Sequence, residues 1–204
     1  MADSPRLFDA GRGESVFFAG TSLYPGEEPA ARPRSKAQQL QLQPNCLYLI
    51  ASPLLWYGIE TLLERAPESA RFLAVECEPA LVRLAQERMP RHLADSRRMR
   101  FPGSPDDAAL IAELYRLDIQ HLRRCEIVSL NGGYRLQRAE YARVQQLLQG
   151  EIERFWRHKA TLVHMMPLWV SNTFFNLALH HRSLTAPEAV ENPVLLAGAG
   201  PSLD

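Results

Sequence analysis

The residues best suited to chemistry in this sequence stand at the ends of short apolar runs. Pro193-Val-Leu-Leu-Ala197 leads into Gly198-Ala-Gly200-Pro-Ser202-Leu. Glycines after a strand allow a tight turn whose amides face a phosphate, and Pro201 with Ser202 suits the start of a helix. The helix that would complete such a site is missing, because the sequence stops at Asp204. The expectation is therefore a second domain that has been cut away. A second run, Ala74-Val-Glu76-Cys-Glu78-Pro79, places carboxylates where nucleotide-binding folds hold ribose hydroxyls. Glu76 and Glu78 are weak nucleotide candidates, since Glu78 before Pro79 is equally a helix start, and that reading is favoured.

The turn that should bind a nucleotide or S-adenosylmethionine reads Ser52-Pro-Leu-Leu-Trp-Tyr-Gly58. Such turns need glycines for close backbone approach. Pro53 has no amide hydrogen, and Leu54, Leu55 and Trp56 fill the space a ligand needs, so no cofactor is expected in this chain. The six histidines, His92, His121, His158, His164, His180 and His181, show neither HExxH nor finger spacing, so no metal site is expected. Without a G-x-S-x-G elbow or a carboxylate pair in a pocket, no residue is assigned as catalytic. Cys46, Cys77 and Cys125 lie in apolar runs with no C-x-x-C spacing, and read as reduced core thiols of a cytoplasmic protein.

The charges balance, with 23 Lys plus Arg against 23 Asp plus Glu. Nucleic-acid binders usually carry a basic excess, and nucleic acid is not expected as a partner. Two zones are locally basic: Arg83 to Arg100, and Arg123, Arg124, Arg135, Arg138 and Arg143. Neither has interleaved aromatics for base stacking, so each reads as a solvated face or a surface for an anionic protein. The apolar stretch from Ala160 to Leu179 contains His164, Pro167, Ser171, Asn172 and Asn176, which are costly inside a bilayer. A buried strand at Ala160–Met165 and a buried helix near Trp169–His180 are expected there, with no membrane span.

These residues must be held by alternating elements. Strands are expected at Leu47–Ser52, Arg71–Cys77, Met99–Phe101 and Cys125–Leu130, with helices at Tyr57–Arg65, Ala80–Glu87 and Pro105–Arg116. Continuous apolar strands alternating with helices argue for a parallel sheet covered on both faces. In the helix expected from Gln137 to His158, Val144, Leu147, Leu148, Ile152, Phe155 and Trp156 form one stripe. The fold class is α/β: a Rossmann-like, degenerate methyltransferase-like, mostly parallel sheet with flanking helices, an N-terminal arm and a C-terminal helical linker. The divisions expected are an arm over 1–44, holding a short strand at Ser15–Ala19 and a helix at Ser35–Gln43, the α/β domain over 45–135, a helical connector over 136–192, and the first strand and glycine turn of a truncated sugar-nucleotide domain over 193–204.

Three segments resemble the motility-associated factor (Maf) family of flagellin glycosyltransferases, whose central domain is related to 6-hydroxymethylpterin pyrophosphokinase-like proteins. Pro193-Val-Leu-Leu-Ala-Gly-Ala-Gly-Pro-Ser-Leu-Asp204 is similar to the strand and glycine turn that open that central domain. Trp169-Val-Ser-Asn172-Thr-Phe-Phe-Asn176-Leu is similar to the family's tryptophan and paired-asparagine helix. Leu49 to Leu63, with Phe72-Leu-Ala-Val-Glu-Cys-Glu-Pro79, is similar to its N-terminal Rossmann-like region. The resemblance implies transfer of a nonulosonic sugar from a CMP-activated donor to flagellin Ser or Thr in the cytoplasm. It puts Gly198, Gly200 and Ser202 in the nucleotide-sugar turn, and Asn172 and Asn176 on a helix as structural or site-lining amides. It also implies acceptor recognition or scaffolding, without turnover, for these 204 residues. The alternative is a fragment of a degenerate methyltransferase-like or pterin pyrophosphokinase-like small-molecule enzyme.

Overall fold

A computed structural model describes residues 4–103 and 105–180. The chain divides into two compact units, residues 1–159 and 160–204. The first unit begins with β1 (Arg6–Asp9), β2 (Glu14–Phe18) and β3 (Thr21–Ser22), an antiparallel sheet in that order, followed by helix α1 (Ala31–Gln39). The alternating part then runs β4 (Cys46–Ala51), α2 (Ile59–Arg65), β5 (Arg71–Val75), α3 (Pro79–Glu87), α4 (Arg91–Ala94), β6 (Met99–Arg100), α5 (Asp107–Arg116) and β7 (Arg124–Ser129). The last helix, α6, spans Arg138–His180 and crosses from the first unit into the second.

The fold is α/β and Rossmann-like. Its parallel sheet has the order β6-β5-β4-β7, so the chain leaves β4 on one side and returns on the other. Every residue of β4 is buried, because helices cover both faces of the sheet. Side-chain alternation splits that strand between two cores. Leu47, Leu49 and Ala51 pack with Leu110, Leu114 and the α6 residues Tyr141, Val144, Leu148 and Ile152. Cys46, Tyr48 and Ile50 pack with Ile59, Leu62, Phe72 and Leu93 on the opposite face. Local signals set the helix starts: Asp106 accepts from the Ala109 amide at 2.8 Å, and Glu78 caps α3 with Pro79 in its first turn.

Four expectations change. The segment 1–44 is more than an arm: Val16, Phe18, Leu23 and Tyr24 are buried against Leu54, Leu55, Leu81 and Leu84 in a third core. Its strand pairs locally with β1 and β3 and stays out of the parallel sheet. The connector does not begin as a separate element at 136, since the first turns of α6 bury their stripe on the sheet. Residues 160–165 are helical, continuous with the rest of α6, where an extended strand was expected. In that second unit the helix exposes Leu162, Val163, Met166, Leu168, Trp169, Val170, Phe174, Phe175 and Leu177, where a buried strand and helix were expected. The period alone could not separate a short extended run from helix, because apolar residues there surround the axis. Among the described residues no helix is long and apolar enough to cross a membrane. The three cysteines are free and buried, and burial pushes Cys46 and Cys77 up to about 12 and Cys125 higher still. Pro193–Ala197 lies outside the described residues.

Candidate functional site at the carboxyl ends of the parallel strands

In open α/β sheets ligands bind beyond the carboxyl ends of the strands, where the strand order reverses. Here that point lies between β4 and β7. The turn after β4 occupies it with its own side chains: Leu54, Leu55 and Trp56 are buried, and the Trp56 indole donates to Ala85 O at 2.8 Å. The path of the turn is unusual, with positive φ at Ser52 (55°), Leu54 (34°), Trp56 (60°) and Gly58 (81°). Gly58 is required twice over, since a Cβ there would stand 2.7 Å from Pro33 O.

A buried polar network ties this turn to its neighbours. Ser52 Oγ donates to Glu76 Oε2 at 2.7 Å, while the Glu78 amide (2.9 Å) and Tyr141 hydroxyl (3.0 Å) donate to Oε1. Burial holds the Glu76 carboxyl above its ordinary range, and the three donors work against that shift. On the other side of the turn the Tyr24 hydroxyl accepts from the Leu55 amide (3.1 Å) and from Asn131 Nδ2 (2.9 Å). Asn131 Nδ2 also donates to Ser52 O at 2.6 Å, and its Oδ1 accepts from the Gly133 amide at 2.7 Å. Burial raises the pKa of both tyrosines, so each stays a neutral hydroxyl. Five segments distant in sequence thus meet at one knot, and its hydrogen bonds are satisfied within the protein.

Beside the knot a cavity of about 260 Å³ opens between α1 and the turn after β7. Arg32, Lys36 and Arg135 line it, and no Asp or Glu does. Lys36 Nζ reaches Ser129 O at 3.4 Å. Partial desolvation lowers the Lys36 pKa, and the nearby Arg32 and Arg135 add to the effect. Tyr134, Leu136, Pro29 and Pro33 supply apolar wall. The backbone amides of Gly132 and Gly133 are already bonded to Leu23 O and Asn131 Oδ1, so cations, rather than a glycine loop, give this cavity its character.

Of the residues singled out from sequence, Glu76 sits in the knot as a buried acceptor. Glu78 is the cap of α3 and accepts from Gln137 Nε2 at 2.9 Å. Asn172 and Asn176 lie exposed on α6. Gly198, Gly200 and Ser202 lie outside the described residues. The two basic zones largely disperse into local pairs. Arg143 bridges Asp107 and Glu140, Arg88 pairs with Glu14, Arg98 donates to carbonyls of Leu63, Ala66 and Pro67, and Arg123 covers the Trp156 ring at 3.3 Å. Arg135 alone of its zone reaches the cavity, with Arg32 and Lys36 from a segment that sequence reasoning set aside. A signal was present: Lys36 is one of only two lysines in a chain whose other basic residues are arginines. Asn131-Gly-Gly after β7 was a second sign, because such a turn fixes close backbone contacts. No group of His, Cys, Asp or Glu among the described residues is placed to hold a metal ion.

No family model matches this chain, and no solved structure matches it. It is similar to an uncharacterized protein of Treponema pallidum (strain Nichols), with 27% identity over 208 residues. That match covers 98% of this chain and 36% of the relative, so the chain spans about a third of the relative's length.

Proposed function

We propose that this chain is the N-terminal, acceptor-recognising or scaffolding part of a Maf-type glycosyltransferase that places a nonulosonic sugar on flagellin Ser or Thr in the cytoplasm. The observation that carries the non-catalytic role is the filled turn: Leu54, Leu55 and Trp56 occupy the place where a Rossmann-like fold binds its ligand. The buried donors and acceptors around it are satisfied by one another, which leaves them nothing to offer a reacting group. Transfer from a CMP-activated donor is then no task of these residues, which span about a third of the length of their relative. The exposed apolar side chains of α6 between Leu162 and Leu177 support a packed setting for that helix, since contiguous apolar surface marks an interaction site.

The test uses the 204-residue chain and purified flagellin. Calorimetric titration should show flagellin binding, while intact-mass spectrometry with a CMP-activated nonulosonic sugar should show no added sugar. Absence of flagellin binding sinks the acceptor role, and sugar transfer by the chain alone sinks the non-catalytic one.

A further inference from the structure

The cavity beside α1 brings together three cations that form no ion pair with a carboxylate among the described residues. Several arginines elsewhere, Arg83, Arg88, Arg100, Arg116, Arg124, Arg143 and Arg154, each face a carboxylate. In a chain with equal numbers of acids and bases, these three cations share one concave surface that no Asp or Glu lines. They also come from separate parts of the fold. Arg32 and Lys36 stand one helical turn apart on α1, whereas Arg135 follows the turn after β7. Like charges lining one cavity repel, and an anion entering it relieves the repulsion.

Size and walls narrow the anion. At ~30 Å³ per water, about 260 Å³ holds roughly nine waters, enough for a phosphate and one ring but not for a large cofactor. A dianion matches three cations better than a monoanion does, and guanidinium groups suit phosphate oxygens through paired donors. The remaining wall, with Tyr134, Leu136, Pro29 and Pro33, suits the apolar faces of a ring. The cavity opens at the carboxyl end of β7, beside the turn that fills the reversal of strand order. We propose that this cavity binds a small phosphomonoester, with the phosphate held by Arg32, Lys36 and Arg135 and a sugar-like ring against Tyr134 and the prolines.

This site is independent of the glycosyltransferase reading, and its test uses neither flagellin nor an activated sugar. The 204-residue chain carries two lysines, Lys36 and Lys159, so reductive ¹³C-dimethylation, which keeps the charge, gives two lysine signals beside that of the amino terminus. Glucose 1-phosphate and ribose 5-phosphate should shift the Lys36 signal with a saturable curve and leave Lys159 unmoved. Glucose should do nothing, and inorganic phosphate should bind more weakly than the monoesters. Arg135→Gln and Arg32→Gln should each weaken binding about tenfold or more, the loss expected for a charge-assisted hydrogen bond, whereas Arg143→Gln should leave it unchanged. The fold of each variant is checked by its thermal midpoint, and a ligand-induced rise in the parent's midpoint gives a second reading. No shift at millimolar monoester, equal shifts of both lysines, or equal weakening by Arg143→Gln would overturn the assignment. Equal affinity for inorganic phosphate and both monoesters would overturn the ring-binding wall.

Discussion

Gly133→Ala probes the knot at its tightest point. A Cβ on Gly133 would stand 2.0 Å from Ser52 Oγ, 2.8 Å from Ser52 Cβ and 3.0 Å from Asn131 Oδ1. Gly133 does not have a positive φ, so alanine brings no backbone strain and the effect is steric. Ser52 cannot swing away freely, because its Oγ holds Glu76 Oε2 and its carbonyl accepts from Asn131. Overpacking a core position costs about 1–3 kcal/mol. Displacing Ser52 Oγ also removes one donor from a buried carboxylate, about 1–3 kcal/mol more. The sum is about 2–6 kcal/mol, or a fall in thermal midpoint of roughly 5–20 °C for a chain of this size. Urea unfolding followed by tryptophan fluorescence measures it. Ser52→Gly supplies the control: φ of 55° suits glycine, and the variant removes both atoms nearest the new methyl. With Ser52→Gly present, Gly133→Ala should cost at least about 1 kcal/mol less than alone, since neighbours in contact are not additive. A Gly133→Ala variant within about 0.5 kcal/mol of the parent, or strict additivity in the double variant, refutes the steric account.

The other predictions concern burial and the filled turn. Because burial raises the Glu76 pKa, its contribution to stability is complete below the ordinary value of 4.5 and is lost as pH rises through the native value. Glu76→Gln does not titrate and should be less stable than the parent by about 1–3 kcal/mol in acid. That gap should close as urea midpoints are followed toward neutrality, and a widening gap contradicts the burial argument. With Cys46 and Cys77 pushed up to about 12 and all three thiols buried, the native protein should react slowly with a disulfide reagent at neutral pH and release three thiols on unfolding. Rapid reaction of any thiol in the native state counts against the packing. Calorimetric titration with S-adenosylmethionine or nicotinamide dinucleotides should give no isotherm, and micromolar binding would show that Leu54, Leu55 and Trp56 move aside.

Much of this protein is legible in its sequence because the dominant signals are local. The apolar runs at Cys46–Ala51 and Arg71–Val75 read as buried strands, the shorter apolar pattern in Arg124–Ser129 as a third strand, and Glu78-Pro79 as the favoured opening of a helix. The bulk of Leu54, Leu55 and Trp56 likewise announced a filled turn, whatever the sheet around it. Tertiary structure decided what depends on meetings across the chain. Tyr24 and Asn131 are 107 residues apart, and nothing local marks either as the other's hydrogen-bond partner. From sequence Glu76 is a weak nucleotide candidate, and in the fold Ser52 and Tyr141 engage its oxygens. The basic zones were counted along the chain, but charges act through space. Several of those arginines found acids, carbonyls or a ring nearby, while Arg32, Lys36 and Arg135 converged from two segments onto one cavity. Composition counts such charges, and only the folded chain sets the distances between them.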